Sequence, residues 1–500
     1  MQNTFQEPET QPQVNSVNQL TDISPSDWAF QAVKNMVERY QCLEGYPDQT
    51  FRGNRPVTRY EFAAALNACL DRVLEIVGGE EGITPEDFAT LRALVEEFEG
   101  ELAVIRGRVD DLEARTAQLE ANQFSTTTKL AGETLFVLAG IATGDDADGN
   151  EIEETNTVLG YRARLNFETS FTGRDLLRAR LQVSNLDVFS ETATGTPEGD
   201  LFFANNSDNN FEVDALLYVF PVGESLEVAV IANAGASDDF SSTVNPFLDG
   251  DGTTGALSTF ATRHPIFYLV DNAGLGLRYF LGDKIEISAG YLAADAPDPN
   301  EGNGLFNGAY GVMGQVLFKP SENFNIALTY LNSYNNETGT GSNLSNFRSF
   351  IDSELGEDMP IISNAYGLTT SWQVNDGFAI GGWVGYINTT TLSTLGGQID
   401  RGSLDILNWA VHLSFPDLIR EGDVAAILVG MEPRVLSSSL EIDGNELEDD
   451  DTSLHVEAFY QFQLNDNISI TPGIIWLTAP DHNSDNEDIV IGVARMTFLF

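Results

Sequence analysis

The sequence predicts a mainly β protein, in which a 16-stranded antiparallel transmembrane β-barrel follows a small helical domain and a trimeric coiled coil. Three observations lead to this prediction. Apolar and polar side chains alternate in runs of about ten residues from residue 125 to the end. The connections between these runs are alternately short and long. There is also no run of about 18 apolar residues, the length that a spanning helix needs.

The charge balance excludes several classes of partner. The 500 residues include 76 acidic and 25 basic side chains, which give a formal net charge of −51. Nucleic acids and anionic lipid headgroups both attract a basic surface, so we expect neither as a partner. We expect such a protein to attract cations from solution, or to have its acidic surface bridged by divalent ions.

The N-terminal residues were searched for a secretory signal. Residues 1–19 are polar and rich in Gln, Asn and Pro, and we expect them to be disordered. They contain no apolar stretch typical of a secretory signal, so an exported protein of this sequence would be a mature form from which a leader has been removed. Cys42 and Cys69 pair in an oxidising compartment and stay free thiols in the cytosol. The location inferred below favours a disulfide.

Residues 20–78 predict a compact helical domain. Ser26 or Asp27 caps a first helix, whose apolar face comprises Trp28, Ala29, Ala32, Val33, Met36 and Val37. Thr58 and Glu61 form a capping box for a second helix. The apolar stripe of that helix comprises Phe62, Ala65, Leu66, Cys69, Val73 and Leu74.

Four sequence blocks in this domain carry a resemblance. They are Asp22-Ile23-Ser24-Pro25, Trp28-Ala29, Gly45-Tyr46-Pro47-Asp48-Gln49-Thr50-Phe51 and Thr58-Arg59-Tyr60-Glu61-Phe62-Ala63. Their order and spacing resemble the S-layer homology (SLH) domain over about residues 20–75. The resemblance implies binding of a peptidoglycan-linked polysaccharide through Trp28, Tyr46, Asp48, Arg59 and Glu61. Arg59 would pair with an acidic sugar substituent, because a guanidinium matches a carboxylate. Trp28 as a core residue and Glu61 as a cap remain open alternatives.

Residues 83–122 predict a coiled coil. Apolar residues and one threonine recur at alternating steps of three and four, which is a heptad pattern. These positions are Phe88, Leu91, Val95, Phe98, Leu102, Ile105, Val109, Leu112, Thr116 and Leu119. Thr84 caps the helix and Pro85 occupies its first position. The mixed heptad residues favour a homotrimer over a dimer. A single amphipathic helix packed on a domain is the alternative.

The strand count of residues 125–500 follows from the connections. Seven short turns lie near 172–175, 221–224, 282–284, 319–322, 374–377, 415–417 and 464–467. Eight long polar loops lie near 141–156, 188–210, 236–271, 295–308, 333–361, 389–402, 435–451 and 480–487. Fifteen connections join 16 strands. An even count with short turns at one end is typical of outer-membrane barrels.

The whole chain then resembles one family. The domain order, the barrel and the closing Phe498 and Phe500 are similar to cyanobacterial outer-membrane porins with an SLH domain. That family is related to carbohydrate-selective porins and is often described as iron-uptake porins. The resemblance implies an outer-membrane location in contact with lipid, a periplasmic N-terminal region and a homotrimer. It also implies passive diffusion of inorganic ions and small hydrophilic solutes, and a tether to peptidoglycan.

Two neighbouring strands predict a charged pore wall. Alternation directs six polar side chains inward, namely Arg162, Arg164, Asn166, Arg178, Arg180 and Gln182. Charged residues that line a pore sort ions by their local field. Pairing of these arginines with loop carboxylates, which would rigidify the wall, is the alternative. By resemblance the third loop, 236–271, folds into the lumen. Its carboxylates Asp238, Asp239, Asp249 and Asp251 would face the arginines across a constriction.

The clearest alternation runs from Leu454 to Leu464. The side chains expected to face lipid are Leu454, Val456, Ala458, Tyr460, Phe462 and Leu464. His455, Glu457 and Gln461 are then expected to contact pore water. On this interpretation arginine is tolerated at position 455 and disrupts assembly at position 456.

No pattern of catalytic residues is present. The sequence lacks Gly-x-Ser-x-Gly, His-Glu-x-x-His and a phosphate loop. The four histidines, His264, His412, His455 and His482, are widely separated. We therefore predict neither an enzyme nor a metal centre or cofactor. Acidic loops near 145–154, 443–451 and 485–488 predict an outer rim that attracts divalent cations. A calcium loop at 145–150 is the alternative.

Two rival functions remain open at this point. One is a purely structural tether between the outer membrane and peptidoglycan whose barrel is plugged. The other is a wall-anchored extracellular enzyme with a soluble β-rich domain, in which the alternating apolar side chains are buried against a second sheet.

Overall fold

A computed structural model divides the chain into two units, residues 1–122 and 123–500. It describes residues 16–24, 30–44, 46, 48–52, 65, 69, 72, 75, 127–152, 156–442 and 444–500. The predicted coiled coil at 83–122 lies outside these residues, as do Trp28, Arg59 and Glu61. Within the described part of the chain, no helix is sufficiently long and apolar to cross a membrane.

The described part of the first unit is a small helical core. A 3-10 turn spans Val17–Gln19, and an α-helix at Phe30–Lys34 continues as a π-helical segment at Asn35–Arg39. Val33 and Val37 are buried, as predicted, but Met36 is 41% exposed. A π-helical turn holds more residues than an α-helical turn, so it changes the face on which later side chains lie. Cys42 and Cys69 are joined by a disulfide.

The second unit is a closed antiparallel barrel of 16 long strands, which confirms the predicted count. In chain order the strands are β1 Thr128–Thr143, β2 Val158–Thr169, β3 Leu176–Leu186, β4 Glu212–Val222, β5 Leu226–Ala236, β6 Asp271–Leu281, β7 Ile285–Ala293, β8 Tyr310–Ser321, β9 Phe324–Tyr334, β10 Ile361–Asn375, β11 Phe378–Thr391, β12 Ser403–Pro416, β13 Val424–Ser438, β14 His455–Asn465, β15 Ile468–Leu477 and β16 Ile489–Leu499. Each strand pairs with its neighbours in sequence. The first and last strands close the barrel, from Glu133 opposite Leu499 to Ile141 opposite Ile491.

Long loops and short turns alternate around the barrel, as the sequence predicts. The loops are L1 144–157, L2 187–211, L3 237–270, L4 294–309, L5 335–360, L6 392–402, L7 439–454 and L8 478–488. Several of these loops contain short helices, including Ser190–Thr194 in L2, Thr259–Thr262 and Pro265–Leu269 in L3, and Phe347–Leu355 in L5. Both chain ends of the barrel lie on the side of the short turns.

The C-terminal residue completes the closure of the sheet. The backbone amide of Gly132 donates to the Phe500 carbonyl at 2.6 Å, and the Phe500 amide donates back at 2.9 Å. A side chain at position 132 would put its Cβ 2.2 Å from the Phe500 ring. Gly132 therefore allows the terminal ring to pack against β1.

The outer surface of the barrel is apolar. On β14, Phe462 and Leu464 are 39% and 50% exposed, whereas the alternate residues His455 and Glu457 are 0% and 1% exposed. Other strands likewise expose large apolar side chains, including Phe136, Leu138, Leu159, Leu277, Val316, Leu328, Ile427 and Ile474. This is the surface that a barrel presents to lipid.

The barrel interior is less polar than the alternation predicts. Inward-facing Leu135 and Val137 of β1 pack in an apolar cluster with Phe203 of L2 and Phe260 of L3. A second cluster joins inward-facing strand residues to L3 and to the L5 helix, where Phe347 is buried. Because loops fold into the lumen, part of the inner wall contacts protein and needs apolar side chains.

Candidate functional site

Loop L3 crosses the barrel interior and is held there by side chains of the wall. Arg495 of β16 is fully buried and donates to the carbonyls of Gly252, Gly255 and Ala256 at 2.7–3.0 Å. A guanidinium presents several donors in a fixed plane, so one side chain can satisfy a whole turn of backbone. This anchor fixes the path of L3 across the lumen.

Two further wall residues bind the same part of L3. The Glu457 carboxylate accepts from the backbone amides of Leu257 and Ser258, at 2.7 and 3.0 Å. The Gln461 side chain accepts from the Gly255 amide at 3.2 Å. The backbone polar groups of this buried segment therefore have partners on β14, as a buried loop requires.

These contacts correct part of the predicted pore lining. His455 and Glu457 face the barrel interior, but they are buried beneath L3 and do not contact pore water. Gln461, which was also expected to contact pore water, is buried beneath the same loop. The alternation correctly predicts that these side chains point inward. Their exposure to water depends on the packing of L3, which the alternation does not show.

A second anchor of L3 is His264, which is fully buried. Its ring is nearly parallel to the Trp383 ring, with centroids 6.0 Å apart, and its Nδ1 lies 3.3 Å from the Thr369 hydroxyl. A Cβ at Gly367 or Gly385 would lie 2.6 or 2.3 Å from the imidazole, so both glycines make room for it. Burial lowers the pKa of His264 to about 3, which keeps the ring neutral.

The predicted arginine wall pairs directly with L3. The Asp251 carboxylate lies 2.7 Å from Arg164 and 3.3 Å from Arg180. Both arginines also lie 3.3 Å from Asp214 of β4. Burial opposes ionisation of Asp251, but the surrounding arginines outweigh it and lower its pKa to about 2. Both functions considered from the sequence therefore apply to Arg164 and Arg180. These arginines pair with carboxylates, and they also line a cavity.

The remaining residues of the predicted wall differ in exposure. Arg162 is 3% exposed and donates to the Asp251 carbonyl at 2.9 Å. Gln182 is buried and accepts from Arg164 at 2.6 Å, so it orients that arginine instead of contacting the pore directly. Arg178 is half-buried and pairs with Glu168 at 2.9 Å.

Arg263 of L3 is a site residue that was not predicted from the sequence. Its guanidinium lies 2.6 Å from Asp238 and 2.9 Å from Asp249, and 5.3 Å from the centre of the Phe202 ring. Asp238 and Asp249 thus pair with their own loop and not with the arginines of β2 and β3. The signal was present, since Arg263 is the one basic residue in the predicted loop 236–271.

Asp239 differs from the other carboxylates of L3. Its side chain accepts from the Ala236 amide at 2.9 Å. Burial and the adjacent Asp238 raise the pKa of Asp239 to about 6, although Arg178 and Arg180 act in the opposite direction. This group therefore changes its charge close to neutral pH.

Two polar cavities meet at the tip of L3. The first has a volume of about 550 Å³, and its lining includes six of the ten predicted pore residues, namely Arg164, Asn166, Arg178, Arg180, Asp238 and Asp239. The other side chains that line it include Glu133, Phe202, Asp214, Asp251, Arg263 and Tyr268. The second, of about 500 Å³, has the charged lining residues Asp238, Asp249, Asp251, Arg278 and Glu286. Asp238, Gly250 and Asp251 line both cavities. The first lining is nearly balanced in charge, and the second carries four acidic groups against one basic group.

Two predicted wall-binding residues fall within the described part of the first unit. The Asp48 carboxylate accepts from the Thr50 hydroxyl at 2.6 Å and pairs with Arg52 at 2.7 Å. The Arg52 guanidinium lies 4.3 Å from the centre of the Tyr46 ring, which is 41% exposed. Asp48 therefore orders the turn, and Tyr46 with Arg52 forms an exposed aromatic and cationic surface.

The described residues contain no group of three or more His, Cys, Asp or Glu side chains arranged to hold a metal ion. In L1, Asp146 accepts from the backbone amides of Asp148 and Asn150 at 3.0 and 2.8 Å. Asp146, which lies within the candidate calcium loop at 145–150, thus organises a turn.

Comparison with known families and proteins agrees with this architecture. Residues 85–500 match the family described as carbohydrate-selective porin, OprB family, and residues 19–63 match the S-layer homology domain. An uncharacterised protein of Nostoc sp. is 39% identical over 98% of this chain and 86% of its own length. An uncharacterised protein of Synechocystis sp. is 37% identical over 98% of this chain and 91% of its own length.

The fold is also found among solved structures. The high-pH structure of OprB from Pseudomonas putida aligns with a TM-score of 0.55 and 11% identity, over 78% of this chain and 97% of that one. The outer membrane protein SlpA of Deinococcus radiodurans is 40% identical over 20% of this chain and 9% of its own length. The protein is thus a channel of the outer membrane and not an enzyme. The chain belongs to the OprB family of carbohydrate-selective porins and carries an SLH domain at its N-terminal end.

Proposed function

We propose that the barrel passes inorganic ions and small hydrophilic solutes by passive diffusion. The observation that supports this proposal is the pair of polar cavities that share Asp238, Gly250 and Asp251. Polar and charged groups that line a constriction select solutes by size and field without any chemical step. Transport of this kind needs no cofactor.

We further propose that the channel prefers cations. Arg164 of β2 and Arg180 of β3 pair with Asp251 and Asp214 at 2.7–3.3 Å, which offsets their charge. The lining of the second cavity contains four carboxylates and one arginine, although Asp238 and Asp249 also pair with Arg263, and the outer loops carry further carboxylates. Acidic surfaces raise the local concentration of cations, divalent ions included.

Small sugars are a second candidate solute. The rings of Phe202 and Tyr268, with centroids 6.3 Å apart, line the first cavity beside its arginines and carboxylates. An apolar ring face beside charged donors and acceptors suits a sugar, which has an apolar face and a rim of hydroxyl groups.

We propose that the SLH domain tethers the outer membrane to peptidoglycan from the periplasmic side. Support comes from the matched domain and from the exposed Tyr46 and Arg52 surface. Assembly as a homotrimer through the predicted coiled coil would bring three such domains to one polymer network. Linked weak sites gain avidity without any new contact.

The rival structural role also has an observation in its favour, since residues of L2, L3 and L5 pack in apolar clusters against the inner wall. Liposome swelling separates the two functions. Vesicles that contain the folded protein should swell in small sugars and in salts of small ions. Swelling no faster than that of empty vesicles would support a plugged tether.

The tether is tested separately by sedimentation with purified peptidoglycan sacculi. The wild-type protein should pellet with sacculi that retain their polysaccharide, and Arg59→Ala should weaken this binding. Arg174→Ala, in an exposed turn of the barrel, is the matched control and should bind normally. Equal binding by all three proteins would contradict the assigned role of Arg59.

A further inference from the structure

Three neighbouring strands repeat one pattern on the outer face of the barrel. Toward the loop end, each strand places an apolar residue, a tyrosine and an asparagine at every second position. The residues are Leu328, Tyr330 and Asn332 on β9, Leu368, Tyr366 and Asn364 on β10, and Val384, Tyr386 and Asn388 on β11. All three tyrosines are exposed, so the pattern lies on the surface that faces lipid.

The asparagines belong to a polar row that crosses five strands. Strand pairing sets its members directly opposite one another, and they are Asn332, Asn364, Asn388, Asp405 and Ser437. The Asp405 carboxylate accepts from Asn388 at 2.8 Å and from Ser437 at 3.1 Å. Amides and carboxylates are costly within the hydrocarbon of a membrane. The row therefore marks the headgroup level at the loop end of the barrel.

Two polar atoms in the middle of this row form no hydrogen bond within the described part of the chain. Asn364 Oδ1 accepts from the Tyr330 hydroxyl at 2.8 Å and from Asn332 at 3.2 Å, whereas Asn364 Nδ2 donates to no described residue. Asn388 Nδ2 donates to Asp405, whereas Asn388 Oδ1 accepts from no described residue. Asn364 and Asn388 face each other across β10 and β11. The row thus presents one donor and one acceptor side by side.

An apolar groove of about 540 Å³ lies beside the row, on the same strands. Its lining includes Val316, Leu328, Leu368, Val384 and the three tyrosines. Gly314 of β8 also lines the groove, and a Cβ at this position would meet none of the described atoms within 4 Å. The Tyr366 ring lies 5.3 Å from the Tyr330 ring and 6.4 Å from the Tyr386 ring, measured between centroids. The tyrosines therefore separate the apolar groove from the polar row.

We propose that this face of the barrel binds one glycolipid of the outer leaflet, namely lipopolysaccharide. An acyl chain lies in the groove, and a sugar of the headgroup lies on the polar row. A sugar hydroxyl both donates and accepts, so it matches the open atoms of Asn364 and Asn388. Tyrosine rings combine an apolar body with a polar tip, which suits the junction of chain and headgroup.

The charge of the row favours a sugar over a phosphate. The row contains one carboxylate, Asp405, and no basic residue. Arg434 lies opposite Leu407, two positions from Asp405, but it donates to L7. Its partners there are the Asp449 carbonyl at 2.9 Å and the Thr452 hydroxyl at 3.0 Å. A phosphate on the row would be repelled by Asp405, whereas neutral hydroxyl groups are not.

Native mass spectrometry of the intact protein, released from detergent, counts the bound lipids. Rough lipopolysaccharide is the probe, and phosphatidylglycerol is the comparison lipid because its headgroup has a phosphate and no sugar. We expect one lipopolysaccharide per chain and about tenfold weaker binding of phosphatidylglycerol. Equal binding of the two lipids would indicate a nonspecific aromatic belt and would overturn the proposal.

A variant that fills the groove tests the place of the acyl chain. Gly314→Leu adds a side chain in open space, so the barrel should fold and bind lipopolysaccharide about tenfold more weakly. Gly492→Leu is the matched control, because Gly492 is exposed on β16 and a Cβ there also meets no described atom within 4 Å. Equal lipopolysaccharide binding by the two folded variants would overturn the proposal. A changed number of subunits in Gly314→Leu, read from the same spectra, would assign the groove to a contact between copies of the chain and would also overturn it.

A second variant tests the headgroup contact. The double variant Asn364→Val, Asn388→Val removes the open donor and acceptor and keeps side chains that favour strands. We expect it to bind lipopolysaccharide and phosphatidylglycerol equally, because the groove still accepts an acyl chain. An unchanged preference for lipopolysaccharide would show that the polar row does not contact the headgroup. These measurements do not depend on the proposed pore function.

Discussion

The Asp251 carboxylate lies 2.7 Å from the Arg164 guanidinium, so the tip of L3 rests directly on the arginine side of the barrel wall. The carboxylate and the arginines therefore do not face each other across an open channel. Asp251 cancels positive charge at the point where both cavities meet. We therefore expect the ion preference to depend on Asp239, which forms no ion pair with an arginine among the described residues, and on the carboxylates of the outer loops.

The first prediction concerns this contact. Asp251→Asn should lower the permeability of cations relative to anions, because it leaves Arg164 and Arg180 partly unpaired. One charge at about 4 Å in water contributes about 1 kcal/mol, which corresponds to roughly a fivefold change in the ratio. The reversal potential in a salt gradient measures this ratio of cation to anion permeability. Asp376→Asn, in an exposed turn, is the control and should leave the ratio unchanged.

The second prediction concerns pH. The pKa of Asp239 is about 6 in the folded protein, so the group gains negative charge as the pH rises from 5 to 7. Cation preference should increase over this range, and Asp239→Asn should remove the increase. The raised pKa also means that the folded state binds this proton more tightly than the unfolded state. The contribution of Asp239 to stability therefore falls as the pH rises from about 4 to about 6. A pH-independent reversal potential in the wild-type protein would contradict the assignment.

The third prediction concerns the lipid-facing surface. Val456→Arg places a charge on the outer face of β14 and should destabilise the folded barrel by about 2–4 kcal/mol near the middle of the bilayer. Glu301→Arg, in exposed L4, is the control. Heat-modifiable gel mobility and urea unfolding from vesicles measure the difference. Equal stability of the two variants would place Val456 away from lipid.

His455→Arg on the same strand now carries the opposite expectation from the one that the sequence suggested. His455 has no exposed surface and lies between two buried carboxylates, so a longer guanidinium cannot enter without moving L3. We expect this variant to fold poorly or with altered loops. Normal gel mobility and normal conductance would show that the site tolerates expansion.

The fourth prediction concerns the disulfide of the first unit. Reduction of the bond between Cys42 and Cys69, which are 27 residues apart in sequence, should destabilise this unit by about 3 kcal/mol. Limited proteolysis should then cleave the N-terminal region faster while the barrel remains intact. The double variant Cys42→Ser, Cys69→Ser should behave like the reduced protein. Equal cleavage before and after reduction would show that the bond contributes little.

The barrel could be predicted because its signals are local. Each short turn is encoded by a few Gly, Asn, Asp or Pro residues, and each strand by side chains two positions apart. Counting turns and loops therefore gave 16 strands and the correct direction of Arg164 and His455.

The interior could not be predicted in the same way, because exposure there depends on where the loops pack. Leu135 and Val137 face inward and are apolar because L2 and L3 cover them. Arg263 was overlooked because its two partners became neighbours only through the fold of L3. The wall residues Arg495 and Glu432 gave no signal either, since both bind backbone groups that are distant in sequence.

We propose that the barrel is an open channel whose conductance is controlled by the constriction at L3. Single-channel recording of the folded protein in a planar bilayer tests it most directly. We expect discrete, ohmic conductance steps with a cation preference that decreases in Asp251→Asn. A folded, heat-modifiable protein that inserts but adds no conductance above the bare bilayer would contradict it and support a plugged tether.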